Sequence, residues 1–204
     1  MPRFAREMGE NALVVKIGGS LLTRIPDLIP VLKASRRTLF IVPGGGIFAD
    51  AVRRANVDND AAHWMAIAAM EQYGWLLSSE GMPVTAQFKI PSSTTVFLPY
   101  TCLRENDPLP HTWDVTSDSI AAWIAGALHV DLLLLKSTEG ITGADGLQER
   151  VSESVKTDVV DPFFIPYVLK NRIHSAIING SDPVRVQDFL KGLPVPGTII
   201  GTTF

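Results

Sequence analysis

A lysine followed by paired glycines stands near the start of the chain, in the run Lys16-Ile17-Gly18-Gly19-Ser20. A fixed positive charge beside backbone N–H groups that no Cβ screens favours phosphate binding. An ordinary tight turn with a surface lysine explains this run equally well when the run is taken alone. The run is therefore a candidate phosphate site that needs support from a second element.

A second glycine run, Pro43-Gly44-Gly45-Gly46, separates the apolar residues 39–42 from a segment compatible with a helix. Several N–H groups and the positive end of the helix dipole can point there at one negative group. Glycine runs also form plain loops, but here both of them follow consecutive predicted strands. In a parallel sheet these strand ends open on the same edge, where ligands bind. We expect one loop to hold a donor phosphate and the other an acceptor.

Two carboxylates flank the predicted start of a helix in the run Asp114-Val115-Thr116-Ser117-Asp118-Ser119. Helix capping by Asp or Ser explains this composition without any chemistry. The functional alternative is that Asp118 orients Lys16 from across the cleft, so that the ammonium group points at a transferring phosphoryl group. In that role Asp118 does not act as a base.

Motifs for other nucleotide and hydrolase sites are absent from the sequence. It contains no G-x-x-x-x-G-K-[ST] run, no G-x-G-x-x-G run and no G-x-S-x-G nucleophile elbow. The 4 histidines and the single cysteine show no metal-ligand spacing. We therefore expect no metal ion held by protein side chains.

The elements that must position these residues alternate between short apolar strands and helices. Strands are predicted at 12–15, 39–42, 84–88, 96–98, 132–135, 173–178 and 198–200, and helices after 21, over 47–55, 59–80 and 117–128, and from 183. The proline-rich stretch 91–110 predicts a strand with surface loops. The pattern predicts one α/β domain over 1–204, with two lobes meeting near Asp131.

The composition excludes several classes of protein. A chain of 204 residues that is 46% hydrophobic buries one substantial core, which excludes general disorder. A net charge of -3 provides no basic field for nucleic acid. The longest apolar run, 120–128, is about half of a membrane span. The lone Cys102 predicts a reducing, cytoplasmic location.

The predicted helix over 59–80 is apolar on more than one side, with Trp64 and Ile67 on one face and Met65, Met70 and Tyr73 around the rest. Such breadth indicates burial on two sides. Either a second subunit covers one side, giving a homodimer or a higher homo-oligomer, or the helix is buried within a monomer. Both interpretations stay open.

Five segments, in this order, resemble the amino acid kinase family, which includes acetylglutamate, aspartate, uridylate and isopentenyl phosphate kinases. They are Lys16-Ile17-Gly18-Gly19-Ser20, Pro43-Gly44-Gly45-Gly46, Thr116-Ser117-Asp118-Ser119, Leu135-Lys136-Ser137-Thr138-Glu139-Gly140-Ile141 and Ile178-Asn179-Gly180. The resemblance spans nearly the whole chain. The order and spacing of the five segments are far more specific than any one of them.

This resemblance implies a three-layer αβα sandwich around a mainly parallel central sheet. It implies an acceptor-binding lobe, 1–131, and a nucleotide-binding lobe, 132–204. ATP is the implied co-substrate, with Mg²⁺ carried mainly on its phosphates, and the implied partner is a small anionic acceptor rather than nucleic acid or a membrane.

The resemblance also implies roles for individual residues. The catalytic residues it implies are Lys16, Gly18, Gly45 and Asp118. The nucleotide-binding residues it implies are Lys16, Gly18, Gly19, Ser20, Ser137, Thr138, Gly140, Ile141, Asn179 and Gly180. The acceptor-binding residues it implies are Gly44, Gly45, Gly46, Asp114, Thr116 and His63.

The sequence departs from the family pattern in two places. The family usually has Thr-Asp-Val-Asp-Gly-Val, or a lysine-containing variant, where this chain has residues 136–141. The second catalytic lysine of the family has no clear match, and Lys170 and Lys136 are the candidates.

Within the family, residues 46–53 and 63–67 are most similar to members that convert an aminomethylfuranyl-methyl phosphate to its diphosphate, in methanofuran-type one-carbon cofactor biosynthesis. Isopentenyl phosphate kinases carry a histidine shortly after the triple glycine, where this chain has Ile47-Phe48-Ala49. For an aminomethyl cation the available carboxylates are Asp114, Asp60 and Asp58.

Other functions remain open on the sequence alone. The acceptor is alternatively UMP, isopentenyl phosphate or an amino acid carboxylate. A protein of a different class, one that binds nucleotide or oxyanion without catalysis as the molybdenum storage relatives do, is a further alternative. His63 either contacts the acceptor phosphate or is structural.

Overall fold

Short apolar runs separated by glycine and proline turns become the strands of this chain. The computed structural model describes residues 12–201. Its strands are β1 Ala12–Ile17, β2 Thr38–Pro43, β3 Val84–Thr85, β4 Thr95–Phe97, β5 Asp131–Lys136, β6 Thr142–Gly143, β7 Gly146–Leu147, β8 Arg150–Val151, β9 Ser175–Asn179 and β10 Thr198–Ile200. Its helices are α1 Ile25–Lys33, α2 Gly46–Arg54, α3 Asn59–Ser79, α4 Tyr100–Asn106, α5 Ser117–Ala127, α6 Phe164–Lys170 and α7 Pro183–Leu190, and a 3-10 turn over Gly19–Arg24 precedes α1.

The central sheet has eight strands in the order β3-β4-β2-β1-β5-β9-β10-β8. Neighbouring strands are parallel except β9 and β10, which pair in opposite directions. Strands β6 and β7 form a separate antiparallel pair. The sheet places β1 and β5 side by side at its centre, which explains their unbroken apolar runs, because parallel strands are covered on both faces. The mainly parallel sheet predicted from the sequence is confirmed.

Helices cover the sheet on both faces. Alternate residues of β1 enter different apolar clusters, Val14 on one face and Val15 on the other. Helices α5 and α6 pack into the first cluster, and α1 and α7 pack into the second. Helix α3 contributes to both, through Ile67 and Tyr73. This arrangement is the predicted three-layer αβα sandwich.

The expectation of a strand and loops over 91–110 is wrong in one part, because α4 occupies Tyr100–Asn106. The helix buries Cys102 and Leu103 against the first apolar cluster. A carboxylate of α3 supports its start, since the amide of Tyr100 donates to Glu71 Oε1 at 2.9 Å. The support comes from a residue distant in sequence, and the local pattern could not indicate it.

Helix α3 spans the predicted range and leaves part of its surface uncovered. Trp75 is 56% exposed and Met65 is 40% exposed. The homo-oligomer stays a prediction, as do the two lobes 1–131 and 132–204. Among residues 12–201, no helix combines the length and apolar character that crossing a bilayer requires.

Candidate active site

Three charged groups, two of them buried and the third, Lys136, half-buried, meet at the carboxyl ends of β1 and β5. Lys16 faces Leu134 in the register of the two strands, so Lys136 lies just beyond it on the neighbouring strand. The Lys16 Nζ atom lies 2.7 Å from Asp118 Oδ1, and Lys136 Nζ donates to Asp118 Oδ2 at 2.6 Å. Asp118 is 3% exposed in the first turn of α5. One carboxylate therefore holds two ammonium groups at the sheet edge.

The charges of this cluster shift one another's protonation. Burial by itself would raise the pKa of Asp118, but Lys16 and Lys136 outweigh it and hold that pKa below its ordinary value. Burial, reinforced by repulsion from Lys16, lowers the pKa of Lys136 to about 8. With both lysines protonated the cluster carries one net positive charge, which suits an anionic ligand.

The contact with Asp118 separates the two candidates for the second lysine. Lys136 touches the carboxylate, whereas Lys170 is exposed at the last position of α6. Within the described residues, Asp118 pairs only with Lys16 and Lys136. We therefore place Lys136, and not Lys170, in the candidate site.

The start of α5 is held by a residue that the sequence analysis did not single out. Asp161 accepts hydrogen bonds from the amide and hydroxyl of Thr116, at 2.9 and 2.8 Å, and from the amide and hydroxyl of Ser119, at 3.1 and 2.5 Å. Burial raises the pKa of Asp161. Thr116 in turn caps α5 by accepting from the amide of Asp118. The only local signal was an acid set among apolar residues.

The two glycine runs pack against each other beside the charged cluster. A Cβ on Gly19 would lie 2.3 Å from the Cα atom of Gly46. The amide of Gly18 donates to Leu135 O at 3.0 Å, and the Tyr73 hydroxyl donates to Gly18 O at 3.4 Å. The first loop is thus fixed by β5 on one side and by α3 on the other.

The second glycine run forms the start of α2. Gly46 has a φ of 52°, a left-handed conformation that glycine adopts without strain. A Cβ on Gly45 would lie 2.4 Å from Ala49 Cβ, so a larger residue would displace the first turn. Both glycines line the cavity described next, with the positive end of the α2 dipole behind them.

A cavity of about 460 Å³ opens between the glycine loops, α2, α3 and the start of α5. This volume is within the range of small-molecule sites. Several predicted site residues line it: Lys16, Gly19, Ser20, Gly45, Gly46, His63, Thr116 and Asp118. Lys136 lines it as well. Residues predicted from four separate segments thus share one cavity.

Other predicted residues at this end do not line the cavity. Gly18 and Gly44 are buried beneath the loops, where the amide of Gly44 donates to Ile17 O at 2.9 Å. Asp114 is exposed and lies outside the lining. Their predicted roles in binding are not tested by the structure.

The predicted nucleotide residues follow β5 and β9, at the same edge of the sheet. Ser137 and Thr138 are exposed there. Asn179 faces Lys136 in the strand register and donates to Glu139 Oε1 at 2.9 Å. Ser137, Thr138 and Asn179 all lie outside the lining of the cavity.

The remaining nucleotide candidates are tightly packed. A Cβ on Gly180 would lie 2.7 Å from Leu21 Cδ1, and one on Gly140 would lie 2.5 Å from Thr198 Oγ1. Ile141 is 1% exposed within an apolar cluster, and its amide donates to Thr198 Oγ1. Nucleotide binding by this group stays a prediction.

Two histidines and two aspartates join α3 to the segment after α4. The rings of His63 and His111 stack at 3.9 Å between centroids. The Nδ1 atom of His111 lies 2.7 Å from Asp60, and Nε2 lies 2.8 Å from Asp107. Hydrogen bonds to Asp107 and Asp60 raise the pKa of His111, whereas burial and the nearby His111 lower the pKa of His63 to about 4. His111 therefore serves as a positive clamp between two carboxylates.

This cluster also contains a grouping that sequence spacing did not reveal. Ligand atoms of His63, Asp107 and His111 lie within 4.8 Å of one another, which is close enough to surround a metal ion. The two rings are stacked face to face rather than converging on a point, and both nitrogens of His111 already meet carboxylates. The observed contacts are thus those of a charge clamp.

The carboxylates predicted for an aminomethyl cation lie off the cavity lining. Asp58 caps α3 by accepting from the amide of Ala61 at 2.8 Å. Asp60 contacts His111, and Asp114 is exposed. None of these three acids lines the cavity.

Comparison with known proteins gives one strong sequence match. The chain is 30% identical over 202 residues to the [5-(aminomethyl)furan-3-yl]methyl phosphate kinase of Methanocaldococcus jannaschii. The match covers 88% of this chain and 93% of that protein. No family model matches the chain.

Solved structures with the same fold include kinases of phosphorylated acceptors. The UMP kinase of Ureaplasma parvum gives a TM-score of 0.73 at 20% identity, over 96% of this chain and 100% of that one. The uridylate kinase of Archaeoglobus fulgidus gives 0.67 at 17% identity, over 94% and 100%. An isopentenyl phosphate kinase gives 0.59 at 17% identity, over 93% and 100%. Each match covers more than nine-tenths of this chain, so these structures share its fold.

Proposed function

The chain belongs to the amino acid kinase family, and on that premise we propose that it transfers the γ-phosphoryl group of ATP to a small acceptor that already carries a phosphate. The sequence relative and the three solved structures described above are named as kinases of phosphorylated compounds. The chain is accordingly an ATP-dependent kinase, and the acceptor is what remains to be assigned.

One observation carries the proposal: a single buried carboxylate, Asp118, holds the ammonium groups of Lys16 and Lys136 at the mouth of a cavity. A phosphate acceptor is anionic at neutral pH and needs no general base. The obstacle is repulsion between the acceptor and the phosphates of ATP, and fixed cations screen it. Lys16 and Lys136 provide two such cations at the mouth of the cavity.

The roles of the side chains follow from this requirement. Lys16 and Lys136 stabilise the negative charge on the transferring phosphoryl group, and Asp118 keeps both ammonium groups in position. The N–H groups at the Gly19 end of the first glycine loop, which lines the cavity, face the donor phosphates, whereas the amide of Gly18 anchors the loop to Leu135 O. Those of Gly45 and Gly46, at the start of α2, bind the acceptor phosphate. The two loops touch, which brings donor and acceptor together.

Mg²⁺ is proposed to arrive with ATP rather than to be held by side chains at the lysine end of the cavity. The acid there, Asp118, has both oxygens against ammonium groups, so this donor set does not fit a magnesium site. When bound to the phosphates, the ion neutralises part of their charge.

The acceptor we propose is an aminomethylfuranyl-methyl phosphate, which would become a diphosphate in methanofuran-type one-carbon cofactor biosynthesis. The support is the 30% identity to a kinase named for that compound, over most of both chains. The structural neighbours act on other phosphates by name, and UMP and isopentenyl phosphate are therefore the comparison acceptors.

The test is ADP release from Mg-ATP by the purified protein with four acceptors: the aminomethylfuran phosphate, isopentenyl phosphate, UMP and acetylglutamate. We expect turnover with the furan phosphate and little with the others. Preferred turnover of another compound would overturn the acceptor. ATP binding without turnover of any acceptor would favour a storage or regulatory protein.

We propose a cytoplasmic location and a homo-oligomer as well. Cys102 is a buried free thiol, which is compatible with a reducing compartment. The exposed Trp75 and Met65 on α3 give a second copy of the chain an apolar surface to cover. Light scattering of the purified protein measures the number of subunits.

A further inference from the structure

The first two turns of α2 present a row of groups to the cavity. Gly46, Asp50 and Arg53 all line it, at the spacing that places residues on one face of a helix. Gly46 belongs to the end where the acceptor phosphate is proposed to bind. Asp50 and Arg53 therefore extend along the acceptor, away from the phosphate.

Asp50 has unused binding capacity. Its Oδ1 atom accepts from Arg53 Nη1 at 2.9 Å, and over residues 12–201 its Oδ2 atom has no partner. The side chain of Asp50 is 54% exposed toward the open space. An exposed pair one helical turn apart is weak, so Arg53 does not prevent Asp50 from binding a second cation.

Arg53 has a separate support on the opposite wall. Its guanidinium lies 4.8 Å from the ring centroid of Trp113, which also lines the cavity. The indole of Trp113 gives this part of the cavity an aromatic wall, and the ring of His63 also lines the cavity. Such a wall accepts a flat ring between the phosphate and the far end of the acceptor.

The distance along α2 fits the acceptor. A helix rises about 1.5 Å per residue, so Asp50 stands about 6 Å beyond Gly46. In the compound for which the M. jannaschii relative is named, a furan ring with one methylene on each side separates the phosphate from a primary amine. An acceptor anchored at Gly46 brings that amine to the level of Asp50.

We propose that Asp50 binds the primary ammonium group of the acceptor and so selects aminomethyl compounds over neutral ones of the same shape. The inference rests on the proposed function, because it takes the acceptor phosphate to bind at the start of α2. Asp58, Asp60 and Asp114 do not compete for this role, since none of them lines the cavity.

The main alternative is that Asp50 only positions Arg53, which would then bind the acceptor phosphate. In that case loss of the carboxylate weakens every phosphorylated acceptor alike. Direct recognition of the ammonium group instead weakens the aminomethyl compound and largely spares an analogue that lacks the amine. The ratio between two acceptors therefore separates the two roles.

The experiment measures kcat/KM for the aminomethylfuran phosphate and for the analogue with a methyl group in place of the aminomethyl group. We expect the wild type to prefer the amine by about 10- to 100-fold, as for one hydrogen-bonded charge. Asp50→Asn should reduce that preference to near parity, mainly through KM. Arg53→Gln should leave the ratio in place, because Arg53 carries no group that would bind the ammonium.

Asp27→Asn is the matched control, because Asp27 forms the same kind of exposed pair with Arg24, away from the cavity. It should not change the ratio. A preference that survives in Asp50→Asn overturns the inference. Calorimetric measurement of the affinity of the wild type for both compounds distinguishes failure of this inference from failure of the proposed function. Equal affinities for the two compounds would overturn the role of Asp50, even if neither compound is turned over. Selective binding of the amine without turnover would count against the kinase reaction alone.

Discussion

Gly19 and Gly46 lie in backbone contact, so close that a Cβ on Gly19 would stand 2.3 Å from the Cα atom of Gly46. The two residues belong to the loops proposed to bind the donor and the acceptor. Their contact sets the distance between the reacting groups without the help of any side chain. Backbone atoms cannot rotate away, so the separation of the loops has little freedom.

Gly19→Ala should lower turnover by about 100-fold or more, because the added methyl group forces the loops apart and small misplacements of reactants are costly. Circular dichroism should show the fold retained. Gly126→Ala is the control, since its Cβ would meet only the end of the flexible Ile173 side chain, at 2.9 Å. Equal activity of the two variants would contradict the role given to the loop contact.

Lys16→Ala should reduce kcat by roughly 100- to 1,000-fold, which is the usual cost of removing one donor to a developing negative charge. The affinity for ATP should change much less, because the glycine loop remains. Lys170→Ala, at the exposed end of α6, should retain near wild-type turnover. Kinetics and nucleotide titration of both variants test this, and near wild-type kcat in Lys16→Ala would disprove the assignment.

Activity should fall at alkaline pH because of Lys136. Its pKa is lowered to about 8, so the free enzyme loses this ammonium group as the pH rises through that value. The profile of kcat/KM should show this limb. The corresponding limb in the profile of kcat should lie at a higher pH, because bound phosphates stabilise the ammonium charge of Lys136. Lys136→Arg should lack the limb because the guanidinium stays protonated, and an unchanged profile in that variant would assign it to another group.

Asp161→Ala should lower the free energy of unfolding by about 2–4 kcal/mol, because it leaves buried donors of Thr116 and Ser119 without an acceptor. Urea denaturation measures the loss. Asp158→Ala, at an exposed position of the same segment, should have little effect. Similar midpoints for the two variants would show that Asp161 does not hold the start of α5.

His111 should stabilise the fold at acidic pH more than at alkaline pH. Hydrogen bonds to Asp107 and Asp60 raise its pKa above the ordinary value for histidine, so the contribution is complete below that ordinary value and is lost as the pH rises through the folded pKa. The stability difference between wild type and His111→Gln should therefore shrink with rising pH. Asp60→Asn should cause part of the same loss of stability at acidic pH. A stability difference between the wild type and His111→Gln that does not depend on pH would contradict the proposed pairing of a protonated His111 with the two carboxylates.

The sequence predicted those parts of the site in which the ligand-binding groups and the signals for strand, turn and helix lie in the same short segment. The runs ending in Lys16-Ile17-Gly18-Gly19 and Pro43-Gly44-Gly45-Gly46 predict a strand, a turn and a ligand site together, because an apolar run, a glycine break and a helix start are all local signals. Their convergence on one edge follows from the parallel sheet. The order of elements and the fold class were predictable for this reason.

Other parts of the site depend on contacts between distant segments. Lys136 and Lys170 were both candidates, and only the meeting of β5 with α5 at Asp118 distinguishes them. Asp161 holds Thr116 from 45 positions away in the chain, and no pattern near either residue indicates it. In the sequence alone, Asp50 does not differ from an ordinary acidic residue on a helix, and only the structure shows that it lines the cavity.

The parts of the site differ in local stability according to their position in the sheet or outside it. Lys16 and Lys136 lie near the carboxyl ends of two strands at the centre of the sheet, which are paired on both sides and where amide exchange requires nearly complete unfolding. The acceptor wall is built from partly exposed residues such as Asp50 and Trp113, on a short helix and a connecting segment that fluctuate more readily. Mild denaturant should thus make the enzyme permissive toward acceptors before it stops transferring phosphate, and new acceptor preferences can arise on this wall while the reacting centre stays rigid.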